Sequence, residues 1–185
     1  DPSVPRKDSG IEWLGEIPAH WQVSKARDIA ESLQTGPFGS QLHSEDYSPG
    51  GIPVVNPSNM KDGRITPDPH CAVDKQTWTR LQRHELRDGD IVFARRGEMG
   101  RCAMVTPGEQ GWLCGTGSLR MRPKTGVSYP PFLNRVISTT GVRDWLLLES
   151  VGATMDNLNT HILSRIPVPA PPPAEQRAIA AFLDR

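Results

Sequence analysis

The sequence predicts an α+β domain: a mixed, mostly antiparallel twisted sheet with flanking short helices, followed by a proline-rich strap and the start of a long C-terminal helix. Three observations predict it. Eighteen prolines and seventeen glycines among 185 residues cut the chain into short elements joined by defined turns. Apolar residues make up only 36%, yet they are grouped between the turns, as in a folded chain and unlike a disordered one. The groups change along the chain from helical spacing to period-two alternation.

Residues 1–22 read as an extended, proline-punctuated lead carrying Trp13 and Trp21. Val23, Ala26, Ile29, Ala30 and Leu33 are spaced as one helix face. Gly36-Pro-Phe-Gly-Ser40 stops that pattern in a compact loop. A strand follows at Ile52–Val55, then a turn at Lys61-Asp-Gly-Arg64. Asp74 is positioned to cap a short helix bearing Trp78 and Leu81. Asp88-Gly-Asp90 turns the chain into Ile91–Ala94, an unbroken apolar run that reads as a buried strand. Further strands are expected at Cys102–Val105 and Leu119–Met121. In the latter, Arg120 and Arg122 share one face. Pro130-Pro131 opens a helix, Gly141 interrupts it, and Val142–Leu148 forms a second. The prolines of Ile166–Pro173 remove donors and fix φ, giving a stiff strap. From Ala174 a helix with Ile179, Phe182 and Leu183 on one stripe runs to Arg185. No stop signal ends it, so it is expected to continue.

Composition narrows the function. The longest apolar run, Trp145–Leu148, is far too short to cross a bilayer. Cys71, Cys102 and Cys114 are odd in number and form no C-x-x-C pair, which fits buried thiols in a reducing cytoplasm better than a zinc or disulfide site. The sequence therefore predicts a soluble, cytoplasmic protein without metal or cofactor. Twenty-one basic residues balance twenty-one acidic ones, so any contact with nucleic acid requires cations gathered on one face. Tyr129-Pro-Pro-Phe132 is close to an amino-methyltransferase motif, but tyrosine lacks the acceptor geometry of its asparagine or aspartate. Gly97-Glu-Met-Gly100 has the G-x-x-G spacing of a backbone clamp, yet lies between strands and also reads as a plain hairpin turn. Walker, nucleophile-elbow and HExxH patterns are missing. The expectation is a binding protein, not an enzyme.

Four stretches carry a family resemblance. They are Ser9-Gly-Ile-Glu-Trp-Leu-Gly-Glu-Ile-Pro-Ala-His-Trp21; Gly36-Pro-Phe-Gly-Ser40 with Gly51-Ile-Pro-Val-Val55; Leu86-Arg-Asp-Gly-Asp-Ile-Val-Phe-Ala-Arg95; and Gly152-Ala-Thr-Met-Asp-Asn-Leu158 leading to Pro172-Pro-Ala-Glu-Gln-Arg177. Together they resemble one target-recognition domain of a type I restriction–modification specificity subunit. The resemblance implies double-stranded DNA as ligand, with methylation and cleavage left to modification and restriction subunits. It implies a recognition domain at residues 1–165, and at 166–185 the strap and truncated start of a spacer helix. That helix would meet a second half-unit or another copy of the chain. The opening motif fits the first half of such a subunit; a self-pairing half-unit stays open.

Arginine and lysine suit guanine edges, and asparagine and glutamine suit adenine. The candidate DNA contacts are accordingly Arg95, Arg96 and Arg101 around one turn, and Arg120, Arg122 and Lys124 along one strand. A solvated sheet face with Glu98 as an ion-pair partner is the plainer alternative. Ser40 could meet phosphate or belong to a tight turn packed under Phe38. Asn157 and Asn159 could read adenine or cap a helix. Ile179, Phe182 and Leu183 are the candidate partner-binding stripe. Two other classes remain: an assembly module that docks methyltransferase subunits without gripping DNA, and a stand-alone nuclease of a defence system. A positive potential segregated to one face argues against the first, and the lack of a metal-binding acidic pair argues against the second.

Overall fold

In the computed structural model, which describes residues 3–150 and 158–184, the chain enters through a hairpin of β1 (Arg6–Asp8) and β2 (Glu16–Pro18). β3 (Gln22–Lys25) leads through one helical turn, α1 (Ala26–Ile29), into β4 (Ala30–Thr35). Next come β5 (Tyr47–Val55), the small hairpin β6 (Met60–Lys61) and β7 (Arg64–Ile65), β8 (Ala72–Val73) and α2 (Lys75–Arg80). β9 (Ile91–Ala94), β10 (Cys102–Met104), β11 (Leu113–Cys114) and β12 (Ser118–Pro123) follow. The chain then runs through α3 (Pro130–Ile137), α4 (Thr140–Ser150), α5 (Thr160–Arg165), β13 (Pro167–Ala170) and α6 (Pro173–Leu183).

An antiparallel sheet of order β10-β9-β12-β4 organises the domain. Side chains alternate across it. Ile91, Phe93, Leu119 and Met121 face a core closed by Leu133 and Ile137 of α3, Val142 and Leu146 of α4, and Leu163 of α5. Val92 and Ala94 point the other way, into a second core with Val55, Met60, Leu86 and Cys114. β9 is thus covered on both faces, which is why its sequence is unbroken apolar. A three-stranded sheet, β11-β5-β8, lies beyond it, with β11 parallel to β5 and a smaller core around Leu42, Val54 and Leu81.

Local chemistry explains the boundaries. Asp74 accepts the Thr77 amide at 2.7 Å, capping α2 as its sequence predicts. Asn159 does the same for Ile162 at 2.9 Å and starts α5, so its role here is capping. Asp62 and Gly63 take positive φ, 51° and 71°, as a two-residue hairpin requires. Gly141 sits under Trp13, where an added Cβ would lie 2.6 Å from the indole.

Two expectations need correction. The helix expected over Val23–Leu33 is one turn between two strands. Pairing of β3 with β13 and of β4 with β12 outweighs the helical spacing. The lead is not simply extended, because β1 and β2 pair. The strap also does more than span. As β13 it pairs with β3, and Val168 is buried in the main core. Gln176 of α6 donates to the Val127 and Pro171 carbonyls and accepts from the Tyr129 amide, which holds the start of α6 on the body. No helix among the described residues is long and apolar enough to cross a membrane.

Candidate nucleic-acid interface

Antiparallel order brings one set of chain ends to one edge of the central sheet. β4 and β9 finish where β12 begins, since Thr35 pairs with Leu119 and Ala94 with Ser118. The loop after β4, the β9–β10 connection and the entry to β12 therefore leave from the same edge. Backbone bonds tie them together. Gly36 N donates to Ser118 O at 2.9 Å, and Arg95 N to Gly117 O at 2.9 Å. The end of β5 joins them: Gly115 N and Ser118 Oγ donate to Val55 O at 2.8 and 3.0 Å. Glycine is required at this junction for space. A Cβ on Gly36 would lie 1.8 Å from Gly115 O, and one on Gly115 would lie 2.1 Å from Asn56 Oδ1.

Around this junction stand cations and small polar groups. Arg96 is exposed on the β9–β10 turn, whose Gly97 and Gly100 take positive φ of 84° and 79°. Arg95 is half-buried, and its Nε donates to the Leu158 carbonyl at 3.4 Å. Leu158 N in turn donates to Arg95 O, fastening the approach to α5 to this edge. Arg101 folds back across the turn, with Nη2 within 3.6 Å of where a Cβ on Gly97 would stand. Glu98 pairs with Arg143 of α4 at 3.1 Å, as an exposed ion pair. Ser40 is exposed within a single 3-10 turn, Gly39–Gln41. Phe38 does not cover that turn; it is 56% exposed.

The other expected contacts lie elsewhere. Arg120 and Arg122 do share a face of β12, but that face is covered by the segment before β9. Arg120 is 4% exposed. It donates to Glu85 O at 2.8 Å and to Gln34 Oε1 at 2.7 Å. Burial, and then its neighbour Arg122, push its pKa below the usual arginine value. Arg122 makes a two-pronged ion pair with the buried Asp90 carboxylate, 2.7 and 2.9 Å. Both arginines bind their own protein, so the picture of an open basic strand face is corrected. Lys124 is exposed but follows β12, whose six residues span about 20 Å away from the loop edge. Asn157 lies outside the described residues. Of the helix stripe, Ile179 is half-buried, while Phe182 and Leu183 are 71% and 53% exposed.

Sequence reasoning took Phe38 only as a cover for the Ser40 turn, and passed over Asn56, whose Oδ1 lies against Gly115, and Thr116 between Gly115 and Gly117. The available signal was the pair of glycine-spaced runs, Gly36-Pro-Phe-Gly39 and Gly115-Thr-Gly117, with glycines too closely set for an ordinary loop. Among the described residues no cluster of three or more His, Cys, Asp or Glu is arranged to hold a metal ion.

Comparison with known proteins agrees with this architecture. A family model, the type I restriction modification DNA specificity domain, matches residues 18–185. The putative type I restriction enzyme MjaX specificity subunit of Methanocaldococcus jannaschii is 24% identical over 176 residues, covering 92% of this chain and 40% of that protein. The type I restriction enzyme MjaIX specificity subunit of the same organism is 26% identical over 175 residues, covering 92% and 38%. The crystal structure of the HsdS subunit from Thermoanaerobacter tengcongensis shares the fold, with a TM-score of 0.63 at 20% identity over 91% of this chain and 37% of that one. The chain thus spans about two fifths of the length of the relatives it matches.

Proposed function

The chain belongs to the type I restriction modification DNA specificity domain family, and on that premise we propose that the loop edge of its central sheet reads double-stranded DNA. Methylation and cleavage belong to modification and restriction subunits that this reading directs; the chain itself contributes recognition and no catalytic group. The observation that carries the proposal is the convergence of the loop after β4, bearing Ser40, and the β9–β10 turn, bearing Arg95, Arg96 and Arg101, with the end of β5 and the entry to β12 on one sheet edge by backbone bonds and glycine packing.

Each group has a fitting role. Arg96, exposed on a glycine turn, is free to approach a base edge and offer paired donors to guanine O6 and N7. Arg95 and Arg101 are held closer to the body and suit phosphates, which fix register without reading sequence. Ser40 offers a hydroxyl to phosphate from a small, unshielded turn. The zero net charge does not exclude this, because binding needs only a local set of cations: Arg95, Arg96 and Arg101 stand on one turn at the loop edge, while Glu98 of that turn is taken up by Arg143.

A partner surface is favoured by a separate observation. Phe182 and Leu183, exposed at the end of α6, are apolar groups suited to a helix from a second half-unit or another copy, or to a modification subunit.

Titration of labelled duplex with the chain at increasing salt tests the proposal. Two phosphates neutralised by Arg95 and Arg101 give a log–log slope of about −2, at roughly −0.9 per phosphate. Loss of Arg95 or Arg101 should flatten it by about one each. Binding independent of salt, or no binding at low salt, would leave an assembly module as the better account.

A further inference from the structure

Phe38 stands out from the groups that the recognition surface already uses. Among the described residues, two aromatic rings are more than half exposed, Phe38 and Phe182. Phe182 lies on α6, the candidate partner helix. Phe38 instead projects from the loop edge of the central sheet, one residue after the buried Pro37 and two before Ser40.

Its setting is rigid. On one side Gly36 is locked against Gly115, with no room for even a Cβ, and its amide bonds Ser118 O. On the other, Leu42 is buried in the core of the three-stranded sheet. Between these anchors Gln41 closes the turn, its side-chain oxygen accepting the Phe38 amide at 3.4 Å and its own amide donating to Phe38 O at 3.3 Å. Arg80 of α2 then donates to the Gln41 carbonyl at 2.5 Å while pairing with Asp46 at 2.8 Å. Gly39 takes a φ of 59°, which turns the chain sharply beneath the ring. The flanking Gly39 and Ser40 have little bulk to shield it. A phenylalanine held this way leaves more than half of its surface in water in the free protein, an apolar exposure that its own fold does not relieve. It also loses little entropy on insertion, because its backbone is already fixed.

The geometry points to Phe38 as an apolar wedge that inserts at a base step of the bound duplex and partly unstacks it. An aromatic ring on a narrow, braced turn is the kind of side chain that does this, and the arginines of the β9–β10 turn, which leaves the same sheet edge, supply the phosphate contacts that hold register. Inserting it opens one step at a cost that varies with sequence, least at flexible pyrimidine–purine steps. Phe38 therefore adds discrimination at a position where no hydrogen bond is made. This inference rests on the DNA-reading role proposed above.

The test uses the chain and a duplex of its selected sequence with 2-aminopurine placed at each position in turn. Wild-type protein is expected to raise the fluorescence at one step. Phe38→Ala should abolish that rise and weaken the specific complex tenfold or more, with thermal stability little changed because the ring is more than half exposed and belongs to none of the hydrophobic cores. Phe38→Trp should retain both. Wild-type binding with no fluorescence change at any position overturns the wedge, and so does Phe38→Ala with unchanged affinity and signal, in either case without touching the recognition role. If wild-type protein binds no duplex, the recognition role itself fails and the wedge falls with it.

Discussion

Replacing Arg120 by alanine separates scaffold from recognition more sharply than any other single change. Its guanidinium makes two short bonds, to Glu85 O and Gln34 Oε1, each of a kind that contributes about 1.5–3 kcal/mol when the donor is charged. Two terms reduce the sum. Removing the guanidinium relieves its own desolvation, and Arg122 Nη2 still reaches Glu85 O at 3.1 Å. A net loss of about 2–3 kcal/mol remains. For a chain of this size each kcal/mol moves Tm by roughly 2–4 °C, so thermal denaturation should show a fall of about 5–10 °C. Arg96→Ala, at an exposed position, should leave Tm within about 2 °C yet cost roughly 1–3 kcal/mol of specific binding if Arg96 reads guanine. Both variants are compared in a binding titration at a temperature where each is fully folded. The reasoning is refuted if Arg120→Ala keeps its Tm and loses affinity, since the side chain would then be reaching DNA from a site that buries it.

Three further outcomes follow from the same structure. Gly36→Ala forces a Cβ into a backbone carbonyl and should cost at least about 1–3 kcal/mol; chemical denaturation measures it, and affinity should fall as the junction opens. His84 is buried beside Arg83 and Arg120, and burial, then Arg83, lowers its pKa to about 4. The unfolded chain, titrating near 6.5, binds the extra proton between those values, so stability drops as pH falls from about 6.5 towards 4. The loss approaches about 3 kcal/mol. His84→Gln should remove most of that slope in denaturation measured across the window. Asp74→Ala loses the cap on the Thr77 amide and should lower stability by about 1 kcal/mol with no change in binding.

Elements governed by local chemistry were legible in the sequence. The Ile91–Ala94 strand, the Asp74 cap, the turn at Asp62-Gly63 and the proline start of α3 all form as their residues predict. Residues 23–33 were misleading because Ala26 and Ile29 do share a buried helical face, but only within the single turn of α1; the distant partners β13 and β12 draw the flanking residues into strands β3 and β4. The site was half legible for a related reason. Period-two alternation put Arg120 and Arg122 correctly on one face, but it cannot tell whether another layer covers that face. Here the chain around Glu85 does. Nor can it tell which end of a strand joins which loops, and that is what parts Lys124 from Arg96. Phe38 escaped because exposure of an apolar residue is the opposite of what its sequence neighbours suggest.

The most direct test of the central claim is selection of bound duplexes from a random pool at low salt, using the chain extended through its helix with its modification subunit. Sequence reading at the loop edge predicts an enriched short motif whose enrichment disappears with Arg96→Ala. Stable assembly with no enriched sequence would contradict it.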